Sequence, residues 1–396
     1  MNAPTPDVEG ARRAALEVLI HNAHGPFQGL PRTAGWGYPE PYTRDLMIGA
    51  FGILVTGNEA LTESLRRVLQ ELARHQTPRG HIPSLVHDPG DLGASDTTPL
   101  FLIGLALFRQ ATGEADFLSE AADRALTWLE YQSPDDRVLV AQQPTSDWRD
   151  EQWVFGHGLF VNTLVYCAFH LHHRSRQSQT LRQLINSIGH SDPRLGPAQP
   201  QGLNVPGQPY YALWAYKIHR SERFDLLGNA LAILSGIAPP ARAQQILAWI
   251  EAQCLQLRAQ GELGSELPPC LLPYIRPHDS DWHPRYEAYN RPGTYHNGGI
   301  WPFICAFYIA ALVANQQFSL AEEKLLTLTE LVRPARNHDL AFGFNEWFRA
   351  QDASPQGEDW QSWSAAMYLY AADAVAGRRT RFFDKIRQAG ANGPDV

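Results

Sequence analysis

The sequence predicts an all-α fold, a closed double ring of helical hairpins known as an (α/α)6 barrel. Three observations carry that expectation. From about residue 10 onward, apolar residues recur three and four apart, which is helical spacing, and the alternation of half-buried strands is nearly absent. Short turns such as Thr56-Gly57-Asn58 and Thr112-Gly113-Glu114 alternate with long connections rich in Trp, Asp, His and Pro. Antiparallel helices joined tightly at one end and elaborately at the other close into a ring of hairpins, with functional groups gathered where the long loops converge.

In chain order the expected helices cover residues 10–21, 43–56, 60–76, 97–112, 116–132, 153–173 and 179–189. Those that follow cover 208–219, 223–236, 240–257, 299–315, 319–333 and 360–376. The irregular stretch 258–298 holds Trp282, Tyr286, Tyr289 and Tyr295, so it reads as a wall or lid of a cavity rather than as a linker. No low-complexity segment divides the chain, and a single domain over residues 1–396 is expected.

Composition removes several function classes. With 33 Lys+Arg against 41 Asp+Glu, the net charge is −8 and no basic cluster offers a groove for nucleic acid. The 11 Trp, 14 Tyr and 17 Phe exceed what packing requires, and their flat apolar faces suit sugar rings. Cys167, Cys254, Cys270 and Cys305 lack CxxC spacing and read as reduced, structural thiols. The N-terminal residues show no basic segment ahead of a long apolar run, and no stretch approaches a membrane span, so a cytoplasmic location without membrane association is expected. The absence of G-x-G-x-x-G, GxxxxGK[ST], G-x-S-x-G and HExxH patterns argues against dinucleotide, phosphate-loop, α/β-hydrolase and zincin chemistry, and no cofactor is expected.

Carboxylates set among aromatics remain. Glu346 lies in FGFNEWF with Phe344, Trp347 and Phe348, just ahead of a helix; pointed into a cavity it is desolvated and able to activate water, and pointed outward it is an ordinary loop acid. The run PTSDWRDEQW packs Asp147, Asp150 and Glu151 between two tryptophans. Glu151 suits a first helical turn, whereas Trp148 between Asp147 and Asp150 sets one carboxyl against an indole face, surroundings that make a proton donor. Upstream, Trp36 and Tyr42 precede Arg44 and Asp45 at a helix start, where Asp45 either serves the helix end or accepts hydrogen bonds from two sugar hydroxyls. Of Ser95 and Asp96, one is expected to cap the next helix and the other to face the ligand. His170, His172 and His173 end a helix without acidic or Cys partners at ligand spacing, so no metal site is expected.

The segments YTRDL, SDWRDEQW, YHNGGIWPF and FNEWF followed by QSWSAAMYLYAA resemble, in order and spacing, the (α/α)6 glycoside hydrolases. The resemblance covers roughly residues 36–376 and is nearest to the amylo-α-1,6-glucosidase and alkaline/neutral invertase groups, with glucoamylases and trehalases more distant. It implies a general acid in the DWRD segment, Asp150, with Asp147 as a hydroxyl-binding neighbour, and a general base at Glu346. It also implies that Arg44 and Asp45 line the subsite of the cleaved sugar, with His296, Asn297, Trp301, Trp347, Gln361 and Trp363 completing its walls. Counterparts of the β-sandwich of glucoamylases and debranching enzymes are missing, so a small α-glucoside is expected, with sucrose as the alternative substrate. The expected chemistry is a single displacement with inversion, its two carboxyls roughly 6.5 to 9.5 Å apart. A sugar epimerase and a non-catalytic sugar-binding barrel are the rival readings.

Overall fold

Helices buried on every side alternate along this chain with helices buried on one stripe. The computed structural model describes residues 6–134, 138–187, 202–217 and 219–391. Its helices are α1 (Val8–Asn22), α2 (Thr43–Thr56), α3 (Glu59–His75), α4 (Thr97–Thr112), α5 (Ser119–Tyr131), α6 (Leu159–Leu171) and α7 (Ser175–Asn186). They continue as α8 (Leu226–Ser235), α9 (Pro240–Ala259), the single turn α10 (Tyr286–Tyr289), α11 (Pro302–Ala314), α12 (Phe318–Leu331), α13 (Ser362–Gly377) and α14 (Phe383–Ala391).

The sequence decides which helices lie inside. In α11 every residue from Pro302 to Val313 is buried, whereas α3 buries Leu61, Leu65, Val68, Leu69 and Leu72 along one stripe and leaves charged residues opposite. Among the described residues, α2 packs on α4, α4 on α6, α6 on α8, α8 on α11 and α11 on α13, and α13 returns to α2, so the cycle of contacts closes. Outside it, α3 packs on α2 and α4, α5 on α4, α7 on α6, α9 on α8, α12 on α11 and α13, and α1 on α13 and α12. The tightest approach joins α2 to α13. A Cβ on Gly52 would lie 1.8 Å from the Ala366 carbonyl oxygen, so no larger residue lets these backbones meet.

Long segments lead into the inner helices, and short turns lead out of them. Their N-terminal ends meet on one side: Arg44 in the first turn of α2 bonds Asp96 ahead of α4, and Gln361 ahead of α13 bonds Asp45 of α2. Toward the other end α14 packs on α6 and α8, and Phe383 stacks on Phe51 with centroids 5.3 Å apart.

The helix expected at 208–219 is not formed. Residues there make strand β2 (Ala212–Tyr216) and open β3 (His219–Asp225), joined by β1 (His157–Gly158) and β4 (Leu271–Leu272) in an antiparallel sheet of order β1-β2-β3-β4. An apolar run of five residues fits either periodicity, and pairing with β3 settles it as strand. The helix expected from 153 starts at Leu159, because Gly156, at φ 70°, bridges to Gln142 and the next two residues pair with β2. The expected helix 179–189 corresponds to α7, and positions 188 and 189 lie outside the described residues. A further hairpin joins β5 (Trp347–Phe348) to β6 (Pro355–Gln356). All four cysteines are free and buried. No described helix is long and apolar enough to cross a membrane.

Candidate active site

Three elements bring carboxylates together at the N-terminal ends of the inner helices. The first is the turn 147–150. Asp147 is fully buried, and its carboxylate accepts hydrogen bonds from the Arg149 backbone N at 2.8 Å, from Arg149 Nη2 at 2.8 Å and from Gln142 Nε2 at 3.0 Å. Asp150, next along the chain, projects outward with 61% of its side chain exposed, and Nε2 of His296 stands 3.9 Å from its Oδ1. Little touches that carboxyl, but the acids and aromatics beside it leave it partly desolvated. Desolvation accordingly raises its pKa, Arg44 opposes the rise, and Glu151, Asp147 and Asp96 add to it.

The second element is the β5–β6 hairpin. Glu346 precedes it and donates its backbone N–H to the Glu358 carbonyl at 3.1 Å, while Phe348 and Ile300 exchange backbone hydrogen bonds of 2.8 Å that tie the hairpin to the entry of α11. The Glu346 side chain is buried, and its pKa is pushed up to about 8, by burial first and then by the charges of Asp45 and Asp150. Repulsion between two acids falls on whichever ionises last. With its pKa near 8, Glu346 holds its proton at neutral pH in the free site.

The third element is the start of α2. Burial raises Asp45 to about 7 against the opposing charge of Arg44, and its Oδ1 accepts from Gln361 Nε2 at 3.1 Å. Arg44 Nε donates to Asp96 Oδ2 at 2.5 Å. Burial disfavours the guanidinium charge, but Asp96, Asp150 and Asp45 outweigh it and hold Arg44 ionised. Asp96 Oδ1 and Gln361 Oε1 are buried without a hydrogen-bond partner. Neither Ser95 nor Asp96 caps α4 through its side chain, since Ser95 Oγ meets Ser146 Oγ at 2.7 Å.

Among the other candidates, Asp147, Asn297 and Trp148 are placed differently from expectation. Asp147 is not free to bind a hydroxyl, because Arg149 and Gln142 occupy its carboxylate. Asn297 is spent on backbone, accepting from Ile275 N and donating to the Ile275 and Asn290 carbonyls, so it shapes the wall without facing a ligand. Trp148 is buried edge-on against His296, Trp301 and Phe303 rather than against the Asp150 carboxyl. Trp301 and Trp363 are also buried; Trp301 Nε1 donates to the Tyr295 carbonyl, and Trp363 stacks on Phe303 at 4.1 Å. His296 stacks on Tyr295 and on Trp301, and burial followed by the charge of Arg149 keeps it neutral. Trp347 and Tyr42 are half-buried, and exposed Trp36 stacks on His338 at 4.0 Å.

Two tyrosines belong to the cluster beyond the expected set. The phenol of Tyr38 is pushed well above its ordinary pKa, chiefly by Glu346, and that of Tyr295 by burial and then Glu346 and Asp150. Both remain hydrogen-bond donors beside the acids. Their neighbours in sequence, Trp36 and His296, were the signal available. The irregular stretch 260–301 braces the acid turn: Asn290 Nδ2 donates to the Glu151 carbonyl at 2.6 Å, Trp153 N donates to Tyr286 Oη at 2.8 Å, and Arg285 pairs with Glu151. Ionised and protonated acids, an arginine and phenols on one surface can bind several hydroxyls and hold a water.

The family model for alkaline and neutral invertase matches residues 216–376, a segment that contains Glu346 and Gln361 but not Arg44 or Asp150. Alkaline/neutral invertase E, chloroplastic, of Arabidopsis thaliana is 28% identical over 155 residues, covering 39% of this chain and 23% of that protein. Cytosolic invertase 1 of Oryza sativa subsp. japonica is 29% identical over 160 residues, covering 38% and 25%. The chain thus spans about a quarter of the length of these curated relatives. In fold, it is similar to a GH63 mannosylglycerate hydrolase from Thermus thermophilus solved with Tris and D-glycerate, with 15% identity, 91% of this chain, 99% of that chain and a TM-score of 0.63. A wild-type glycosidase gives 14% identity, 94% and 97% coverage, and a TM-score of 0.62.

Proposed function

Starting from a chain related in sequence and fold to the (α/α)-barrel glycoside hydrolases, we propose that this protein hydrolyses the α-glucosidic bond of a small glucoside with inversion, Asp150 acting as acid and Glu346 as base. The observation that carries this reading is the pair itself: an outward carboxyl on the turn before α6 and a buried one before α13, close enough that the charge of Asp150 raises Glu346. The closed cycle of inner helices supports an (α/α)6 barrel acting as one catalytic unit.

Hydrolysis needs one proton on the two carboxyls, held by Asp150. In the free site it rests on Glu346. A sugar lying over Asp150 strips water from that carboxyl and raises its pKa, while a water held at Glu346 donates to its carboxylate and favours ionisation there. Asp150 then protonates the leaving oxygen as Glu346 takes a proton from the water attacking C1 from the opposite face. Arg44, Asp45, Tyr38 and Tyr295 are suited to hold the ring hydroxyls.

The substrate is a small glycoside, and sucrose, itself an α-glucoside, is the specific alternative favoured by the match at 216–376. Assaying a panel of α-linked disaccharides, with products weighed by mass, tests this. Hydrolysis adds water, epimerisation leaves the mass unchanged and a non-catalytic binder yields no product; either of the last two outcomes would overturn the proposal.

The proton on Glu346 also favours a second reading in which the roles are exchanged, Glu346 as acid and Asp150 as base. α-Glucosyl fluoride separates the two, because fluoride leaves without protonation. Activity on the fluoride retained in Asp150→Asn and lost in Glu346→Gln supports the first assignment. The reverse pattern supports the second.

A further inference from the structure

We infer that Arg149, clamped between Asp147 and Asp225, is a positioning residue for Asp150, so that a buried ion triad fixes where the catalytic proton is delivered. The inference rests on the reading of Asp150 as the acid.

Arg149 is 1% exposed, and both aspartates are fully buried. Its Nη2 donates to Asp147 Oδ2 at 2.8 Å, and its Nη1 stands 3.1 Å from Asp225 Oδ1, an ion pair that lacks hydrogen-bond alignment. The guanidinium also lies over the Trp148 ring, 5.3 Å from its centroid. Asp225 is the last residue of β3 and caps α8, its Oδ2 accepting from Gly228 N at 3.1 Å. The triad therefore links the turn ahead of α6 to the N-terminus of the neighbouring inner helix, across 76 residues of sequence.

Stability alone is a weak reason for such a group, since buried ion pairs are commonly replaceable by apolar side chains without loss. Geometry gives a better one. The bond from Arg149 N to Asp147 Oδ1 closes a two-residue turn with Asp147 and Arg149 facing inward, and the next residue, Asp150, is sent outward to the cluster. With the guanidinium anchored at both ends, the turn cannot rotate without breaking an ion pair. A catalytic carboxyl on an exposed turn needs such anchoring to stay within hydrogen-bond reach of a leaving oxygen.

The test compares kcat/KM for an α-glucoside with an alcohol leaving group and for α-glucosyl fluoride, in the wild type and in Arg149→Met, Arg149→Lys, Asp225→Asn and Asp150→Asn, with thermal melting alongside. Asparagine at 225 keeps an acceptor for the Gly228 N–H and so preserves the cap. Proton delivery being worth about 10²- to 10⁴-fold, Arg149→Met is expected to lose about a hundredfold on the alcohol glucoside and about threefold on the fluoride. Asp225→Asn is expected to show the same split more weakly, and Arg149→Lys to recover part of the loss. Equal losses on both substrates, or no loss, would overturn the inference, and Asp225→Asn decides the matter if Arg149→Met does not fold. If Asp150→Asn itself shows no split, the assignment of Asp150 as acid fails instead; a split in Asp150→Asn without one in the Arg149 and Asp225 variants removes the positioning role alone.

Discussion

Gly357 lies directly behind Glu346: a Cβ placed on it would fall 2.2 Å from Glu346 Oε2 and 2.5 Å from its Cβ. Gly357 also has φ 69°, in the left-handed region, and it follows β6 in the hairpin that carries Glu346. The flexible end of Glu346 can swing away from an added methyl, but its Cβ cannot. Gly357→Ala is expected to lower kcat at least about tenfold through displacement of the base, and to destabilise the fold by about 1–2 kcal/mol through backbone strain. Steady-state kinetics with thermal melting check this, and an unchanged kcat would show that Glu346 does not depend on the contact.

The buried acids give stability a definite pH dependence. Asp45 and Glu346 release protons near 3.8 and 4.5 when unfolded, but near 7 and 8 when folded. Between those values the folded chain holds more protons, so stability is greatest below about pH 4 as far as these two groups are concerned, and their contribution is lost as pH rises toward 8. Glu346→Gln removes one of them. Its melting temperature is expected to exceed that of the wild type increasingly from pH 5 to 9, by a stability difference on the order of a few kcal/mol at the alkaline end. A constant difference across that range would contradict a buried, proton-holding Glu346.

Asp147→Asn and Asp150→Asn are expected to fail in different ways. Asp147 is fully buried and compensates Arg149, so its loss leaves a buried cation short of a partner and costs about 3–5 kcal/mol of stability. Asp150 is mostly exposed, so its replacement is expected to leave melting within about 0.5 kcal/mol while lowering kcat by orders of magnitude. Denaturant titrations beside kinetics distinguish the two, and a catalytic loss confined to Asp147→Asn in a stably folded protein would make Asp147 the acid.

Much of this arrangement is legible in the sequence where local physics decides. The expected helices 43–56 and 97–112 coincide with α2 and α4, because each is apolar through its middle turns and ends at a glycine, Gly57 or Gly113, in the left-handed region. The segment 208–219 misleads because β2 is defined by its partner β3, a pairing that five residues of apolar sequence do not encode. α14 is not among the expected helices. Its first residue, Phe383, stacks on Phe51 far back in the chain, and Phe383→Ala is expected to cost about 3–5 kcal/mol in a denaturant titration.

In the site, sequence spacing places Asp147, Trp148 and Asp150 together but cannot say which of them turns inward. That choice is made by Arg149 reaching Asp225, a contact between residues far apart in sequence. For the same reason Asn297 reads as a ligand contact in the motif YHNGG, while in the fold its amide is used up by Ile275 and Asn290. Glu346 is different. The acid stands next to Trp347 and Phe348, which pair into a hairpin with residues fewer than ten positions on, so the segment that carries it is local in sequence, and its side chain is buried there.

The central claim is that Glu346 activates water on the face of the sugar opposite the leaving group, and the anomeric configuration of the first product tests it most directly. Proton NMR during the first minutes of hydrolysis of an α-glucoside, before mutarotation, is expected to show the β-anomer of the released sugar. An initial α-product would mean that a carboxylate bonds C1 and is displaced in a second step, contradicting the roles of Asp150 as acid and Glu346 as base.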